Sequence, residues 1–332
     1  SLSLQHKALL LYQKLITLHL NDARPDALID ADLQRIQFVK DKSTHPEKDR
    51  LYFNAINTIA NKYGNDPAGS QAWYLIAAYH NAKADEYKPF ADTTHRFARL
   101  KAKEICERVL QQKDSSEGKI NCFNLLNQLN SRSFQFSVEK VNIPDQPFRS
   151  FVKYRNINTL YLRVIKPGEA LKKQLENQYD EKYWPALVAV KAEKSWEQKL
   201  PDTKDLQQHS TEIKLDGLPS GEYILLASDN KDFSGKKTIL GARFFYVSGI
   251  SYVSSSNDYF ILNRDKGLPL SKALVQVWEQ RYDYTQSKYI KEKGKSYTTD
   301  VNGFFRMEKR KREPNNYTSY SYLFDITHNS DR

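Results

Sequence analysis

Side chains able to do chemistry are few in this sequence. Two cysteines occur in 332 residues, Cys106 and Cys122, too few for a metal-ligand cluster or a disulfide-dense scaffold. There is no Gly-x-Ser-x-Gly nucleophile elbow and no His-Glu-x-x-His metal motif. The run Ser234-Gly235-Lys236-Lys237-Thr238 imitates a phosphate-binding loop, but Asn230 stands where the earlier glycine belongs and Lys237 follows the lysine. Asp229-Asn230-Lys231-Asp232 has the look of a calcium loop, yet Lys231 at a ligand position would repel the ion, so a polar turn is the better reading. The seven histidines are scattered; His6, His19, His80 and His95 fall on or beside helices, where packing or exposure accounts for them. No carboxylate pair stands out. The residues therefore offer no catalytic, cofactor-binding or metal-binding set, and an enzyme with an unrecognised acid–base pair in a deep pocket is the outlying alternative.

Cys106 and Cys122 fall on successive predicted helices. An antiparallel arrangement could bring them together, and closing so short a loop would stabilise by about 3 kcal/mol in the chain-entropy model. A bridge implies an oxidising compartment; two buried free thiols are the alternative.

The net charge is +11 with a pI near 9.3. The positive charge is spread along the chain, as on a Lys-rich solvated surface, and no nucleic-acid partner is expected. The one dense run, Lys309 to Arg312, reads as a solvated hairpin loop. Asn316-Tyr317-Thr318 matches a glycosylation acceptor. No stretch has the roughly 18–20 apolar residues of a membrane span, and no signal peptide is recognisable. The chain begins at Ser1 rather than Met, as after removal of a leader or in an excised piece.

The elements that would position these residues change character along the chain. Residues 1–132 read as six amphipathic helices. Leu4, Ala8, Leu11, Leu15 and Leu18 form an apolar stripe on the first. Asp22 and Pro25 suit the start of the second. Thr44 and Glu47 have capping-box spacing before the third, which Gly64 would end. Asp66-Pro67 opens the fourth. Ala72, Trp73, Ala78 and Tyr79, with Ala98 and Ala102 in the next helix, fit a degenerate tetratricopeptide pair, or a plain bundle. From Phe134 the pattern alternates with period two. Strands are expected at 151–154, 160–165, 187–192, 213–215, 223–227 and 244–247, with a short helical insertion near 168–184. That makes residues 133–248 a β-sandwich. Residues 249–332 form a second one, its last strand cut short. There Asp258–Leu262 leads into a turn, Ala273, Val275 and Val277 alternate inward, and Asn302-Gly303 supplies the positive φ of a hairpin.

The second sandwich carries a resemblance. The run Asn263 to Pro269, which holds Asp265, Gly267 and Pro269, is similar to a turn of the form Asp-x-x-x-Gly-x-Pro, with Asn263 in place of the leading Asp. Ala273 and Val275 follow in an Ala-x-Val-x-Val strand, and Asp300 and Gly303, with Phe304 next to the closing Phe305, in Thr-Asp-x-x-Gly-x-Phe. This resembles the macroglobulin-type sandwich. Leu218–Tyr223 is similar to the entry of a late strand in such domains, and Val152–Tyr161 to the opening strands of the first macroglobulin domain in bacterial alpha-2-macroglobulin-like proteins of Bacteroidetes type. The fold class is thus a multidomain α plus β protein, an N-terminal helical domain followed by two antiparallel β-sandwich macroglobulin-type domains.

The family traps proteases: a bait segment is cut, the molecule rearranges, and many members bond the protease through a Cys-x-Glu-Gln thioester. Neither Cys106-Glu107-Arg108-Val109 nor Cys122-Phe123-Asn124-Leu125 matches that motif, and no bait region is recognisable. The resemblance implies a non-catalytic N-terminal region of a secreted, periplasmic or envelope protein. Its partners would be other domains of the same longer polypeptide, with proteases as targets of the whole. The alternative is a free-standing peptide- or glycan-binding module using Tyr317, Tyr320 and Tyr322.

Overall fold

The computed structural model describes residues 3–113, 115–175, 179–283, 287–308 and 320–332. The basic run at 309–312, the acceptor Asn316 and Tyr317 lie outside the described residues. The chain divides into two compact units. The first comprises residues 1–133 with two later segments, 154–157 and 201–209; the second comprises 134–153, 158–200 and 210–332.

The first unit contains α1 (Leu4–His19), α2 (Asp26–Lys42), α3 (Lys48–Tyr63), α4 (Ser70–Lys83), α5 (Ala98–Leu110) and α6 (Glu117–Asn130). Two cores run through it. Ile29, Leu33 and Ile36 of α2 pack with Tyr52, Ile56 and Ile59 of α3 and with Ala72 and Ile76 of α4. Ala77 of α4, Ala102, Cys106 and Val109 of α5, and Cys122, Leu125 and Leu129 of α6 form the other. Alanines at the α4–α5 contact let the two backbones approach closely. At the start of α6, Ser116 accepts from the Lys119 N–H and hydrogen-bonds the buried Ser70 hydroxyl at 2.7 Å. A Cβ on Gly118 would run into the Ser70–Gln71 peptide.

The N-terminal helices depart from expectation. No residue of α1 is buried. It meets α2 at Tyr12, whose ring lies 5.8 Å from that of Phe38, and Ala8, Tyr12 and Ile16 are half-buried. The expected leucine stripe points to solvent instead, with Leu4, Leu11 and Leu18 82%, 62% and 70% exposed. Periodicity showed that this helix has an apolar face, but Tyr12 on a neighbouring face won the contact. Leu11→Glu should therefore change stability by less than ~0.5 kcal/mol, whereas Ile56→Ala in α3 should cost about 2–5 kcal/mol in urea unfolding. The capping box does not form: α3 begins at Lys48 without a side-chain cap, because His45 turns its Nδ1 to the Glu47 N–H and Ser43 accepts from His45. Asp22 pairs with His19 at 2.7 Å rather than capping α2. Asp66 does accept from the Ala68 N–H, in the turn before α4.

The strands are β1 (Ser133–Val138), β2 (Val141–Asn142), β3 (Phe148–Arg155) and β4 (Thr159–Ile165), then the short helices α7 (Glu169–Gln174) and α8 (Tyr183–Ala189), then β5 (Lys194–Lys199), β6 (His209–Leu215), β7 (Gly221–Ser228) and β8 (Leu240–Val247). They form a three-stranded sheet, β1-β3-β6, and a five-stranded one, β2-β8-β7-β4-β5. Phe148 of β3 and Phe245 of β8 meet at 5.5 Å between the two sheets, and Tyr223 stacks on Phe245 at 5.6 Å. On the opposite face of the larger sheet, Ile165, Ile224 and Leu226 are covered by Leu175 and by Leu187 of α8. β7 is thus buried on both faces, which explains the unbroken run Tyr-Ile-Leu-Leu-Ala. The expected strand at 187–192 is a helix as far as Ala189, with Pro185 in its first turn; the strand itself begins later, at Lys194. A short apolar run fits helix or buried strand equally well, and here the proline decides it.

The remaining strands are β9 (Ile250–Ser255), β10 (Asp258–Asn263), β11 (Leu274–Asp283), β12 (Lys288–Thr298), β13 (Phe304–Arg306) and β14 (Tyr320–Thr327). Sheets β13-β10-β9 and β12-β11-β14 enclose a core of Ile250, Tyr259, Ile261, Ala273, Val275, Val277, Phe305, Met307 and Ile326. Tyr322 packs against that core.

Candidate functional site

The motif residues of the second sandwich lie close together and make a hydrogen-bonded corner. Asn263 ends β10 and accepts on its side-chain oxygen from the Asp265 and Lys266 N–H groups. The Gly267 N–H donates to the Asn263 carbonyl at 2.8 Å, with Gly267 at φ +67°. Pro269 bridges to Leu262. Ala273 and Val275 are fully buried. Thr299 ties the next crossing: its hydroxyl accepts from the Ala273 N–H at 2.8 Å and donates to the Leu270 carbonyl at 2.6 Å. Asp300 accepts on one carboxylate oxygen from the Asn302 and Phe304 N–H groups. Gly303, at φ +70°, presents its carbonyl to the Ile261 N–H at 2.7 Å. Asn302 is not in the positive-φ region; the glycine alone makes that turn. The leading position of the first motif form falls on Asn263 rather than Asp265, and the closing position of the second on Phe305 rather than Phe304. Asp265 is exposed, and Asn263 does the capping. Phe304 points outward onto Phe260 at 5.2 Å, while Phe305 enters the core. The corner fixes backbone.

Cys106 and Cys122 are free thiols, completely buried in one core cluster. The neighbouring Cys122 thiol lowers the Cys106 pKa below its ordinary value, while Cys106 and burial push Cys122 up. A maleimide should label neither thiol within minutes in the folded chain and both in urea; rapid native labelling of either would contradict the packing.

A dense ionic cluster involves residues that sequence patterns did not single out. Asp205 is fully buried. Its Oδ1 accepts from the Thr203 hydroxyl at 3.0 Å, the Gln207 N–H at 3.0 Å and His209 Nε2 at 2.8 Å. Its Oδ2 accepts from Arg96 Nε at 3.0 Å. Burial would raise this carboxyl's pKa; the bonds from His209, Gln207 and Arg96 outweigh it and hold Asp205 below the usual carboxylate range. Lys204 and Leu206, on either side, sit at φ +49° and +58°, so the loop accepts strain to aim the carboxylate. Gln207 donates to the Ala84 and Arg96 carbonyls and accepts from Arg99. Nearby, Arg155 and Asn156 donate to the Leu129 carbonyl at the end of α6, and the Tyr154 hydroxyl to the Pro201 carbonyl at 2.9 Å.

An Asp–His pair can orient a general base, but this one faces the rings of Tyr87 and Tyr154, and no nucleophile is placed on it among the described residues. Every oxygen of Asp205 is committed to a donor in the same unit. The arrangement clamps segments 154–157 and 201–209 to the helices. No local pattern marks Asp205; only the separation of Arg96 from it by 109 positions reveals the pairing.

Six long helices in one unit and mostly antiparallel sheets in the other make this a mixed α and β protein. No protein-family model matches the sequence, and no curated protein matches it. Among solved structures it is similar to native alpha-2-macroglobulin from Escherichia coli spanning domains MG0-NIE-MG1, at 16% identity and TM-score 0.38. The match takes in 58% of this chain and 64% of that one, a remote likeness of fold.

Proposed function

We propose that this chain is a non-catalytic structural region of a larger protease-trapping protein of alpha-2-macroglobulin type, working in the periplasm, the cell envelope or outside the cell. The observation that carries the reading is the motif corner. Asp300, Thr299, Gly267 and Gly303 each perform the backbone task their motif positions require. The Asp205 cluster supports it further, since its buried charge holds loops to helices. In this reading the helices, tetratricopeptide-like or a simple bundle, and the sandwiches position other domains of the same polypeptide, and proteases are targets of the whole. Immunoblotting of cells that make the chain, with proteolysis blocked, should show a polypeptide several times larger than 38.7 kDa. The isolated chain should form no covalent complex with a protease. A product no larger than the chain itself, or covalent capture by the chain alone, would overturn the proposal.

A further inference from the structure

Strand β8 is paired unequally along its two edges. Toward β7 the register runs without interruption from Leu240↔Ser228 to Val247↔Gly221. On the other edge β2 covers only Tyr246 and Val247, with the Tyr246 N–H donating to Lys140 and the Ser248 N–H to Asn142. The N–H and C=O of one residue point to the same side of a strand, and alternate residues share that side. The outward groups ahead of Tyr246 are therefore those of Phe244, Ala242 and Leu240. Among the described residues none of them meets a backbone partner. Only the Ala242 carbonyl is occupied, by the guanidinium of neighbouring Arg243 at 2.8 Å.

A cleft of about 380 Å³ opens along this same edge. Side chains on the two faces of β8 give it two aromatic walls. On one face, Phe134 and Phe136 of β1 stack 6.2 Å apart over Gly241, where a Cβ would come 2.7 Å from the Phe136 ring. On the other, Tyr183 and Trp184 of α8, edge to face at 5.2 Å, stand with Leu240 and Ala242. Arg243 lies over the Phe136 ring at 5.4 Å, exposed, with no carboxylate partner among the described residues.

An open row of backbone donors and acceptors, with an apolar wall on each side, has the recognition chemistry of strand addition: main-chain bonds supply affinity, and alternate side chains enter pockets on opposite faces. A flat aromatic ligand could use the rings but would leave the backbone row unpaired, and a sugar has no repeat of donors and acceptors that matches the strand spacing. We infer that the Leu240–Phe244 edge of β8 docks an extended polypeptide segment, which adds as a strand in line with β2, sets alternate apolar side chains against the Phe134–Phe136 and Tyr183–Trp184 walls, and places an acidic residue on Arg243. Five residues of edge, at about 3.3 Å each, suit a hexapeptide, with affinity on the order of 10–100 µM.

The test is a random linear hexapeptide display library selected on the whole chain, followed by fluorescence polarisation with the enriched peptides. Ala242→Pro removes an outward N–H while leaving the β7 ladder intact, and should weaken binding at least ~10-fold. Arg243→Glu should weaken the acidic peptides in particular. N-methylating alternate peptide amides should abolish binding, an arm that needs no variant to fold. Selected peptides that tolerate both Ala242→Pro and N-methylation would overturn the inference, as would a library yielding no saturable binder below ~1 mM. Concentration-dependent dimerisation abolished by Ala242→Pro would assign the edge to a second copy of this chain instead.

Discussion

Asp205→Ala is expected to destabilise the helical unit by about 3–5 kcal/mol, the scale for removing one partner of a buried ion pair. Arg96 and His209 lose their acceptor, and the Gln207 N–H and the Thr203 hydroxyl lose theirs. The strained φ values at Lys204 and Leu206 would then stand without compensation. Urea unfolding followed by circular dichroism at 222 nm reads this unit, which holds the long helices. Asp205→Asn should cost less, because an amide oxygen can still accept from Thr203 and Gln207. The acid dependence should follow the carboxylate. Its folded pKa is depressed, so its contribution is fully present above the unfolded value of about 3.9 and is lost as pH falls through the folded value. The native chain should therefore lose stability below about pH 4 more steeply than Asp205→Asn. Equal slopes, or a change within ~0.5 kcal/mol for Asp205→Ala, would mean that the cluster holds nothing.

Gly303→Ala is expected to cost about 3 kcal/mol or more, against about 1 kcal/mol for Gly267→Ala. Both glycines occupy left-handed backbone, at φ +70° and +67°, so the intrinsic penalty is shared. Their surroundings differ. A Cβ at Gly303 would press on the Ile261 carbonyl and lie 3.2 Å from the Leu270 nitrogen, two groups hydrogen-bonded to each other at 2.9 Å. Around Gly267 there is nothing within 4 Å. Paired thermal melts of the two variants measure the difference directly. Equal losses would show that turn conformation alone matters at this corner.

What the sequence made legible follows from the range of the forces involved. The corner could be read because turn chemistry is local: Gly267, Asp300 and Gly303 act on neighbours a few positions away. The helices of 26–130 could be read because each buries an apolar stripe. The long β11–β12 hairpin was missed beyond Val277, since Glu279, Arg281, Lys291 and Lys293 give that stretch a charged, half-exposed pattern without an inward-facing apolar set. The leucine face of α1 was misplaced because periodicity shows that a face is apolar but not what covers it. The thiol pair was visible as a candidate, and its adjacency required the fold. Asp205, Gln207 and Arg155 gave no signal, because their partners are brought together only by the tertiary structure.

The segmented make-up of the first unit has a consequence for how the polypeptide matures on the ribosome. The groups that close the end of α6 come from Arg155 and Asn156, and the acid that seats Arg96 arrives only at position 205. When residue 133 leaves the exit tunnel, the six helices are complete in sequence but still lack these donors and that carboxylate. The helical unit must wait through the synthesis of β1 to β5, with α7 and α8, before its last pieces emerge. A stalled or prematurely cut chain ending near residue 133 should thus be a loose, protease-sensitive bundle, whereas one carried past residue 209 holds every part that the bundle needs.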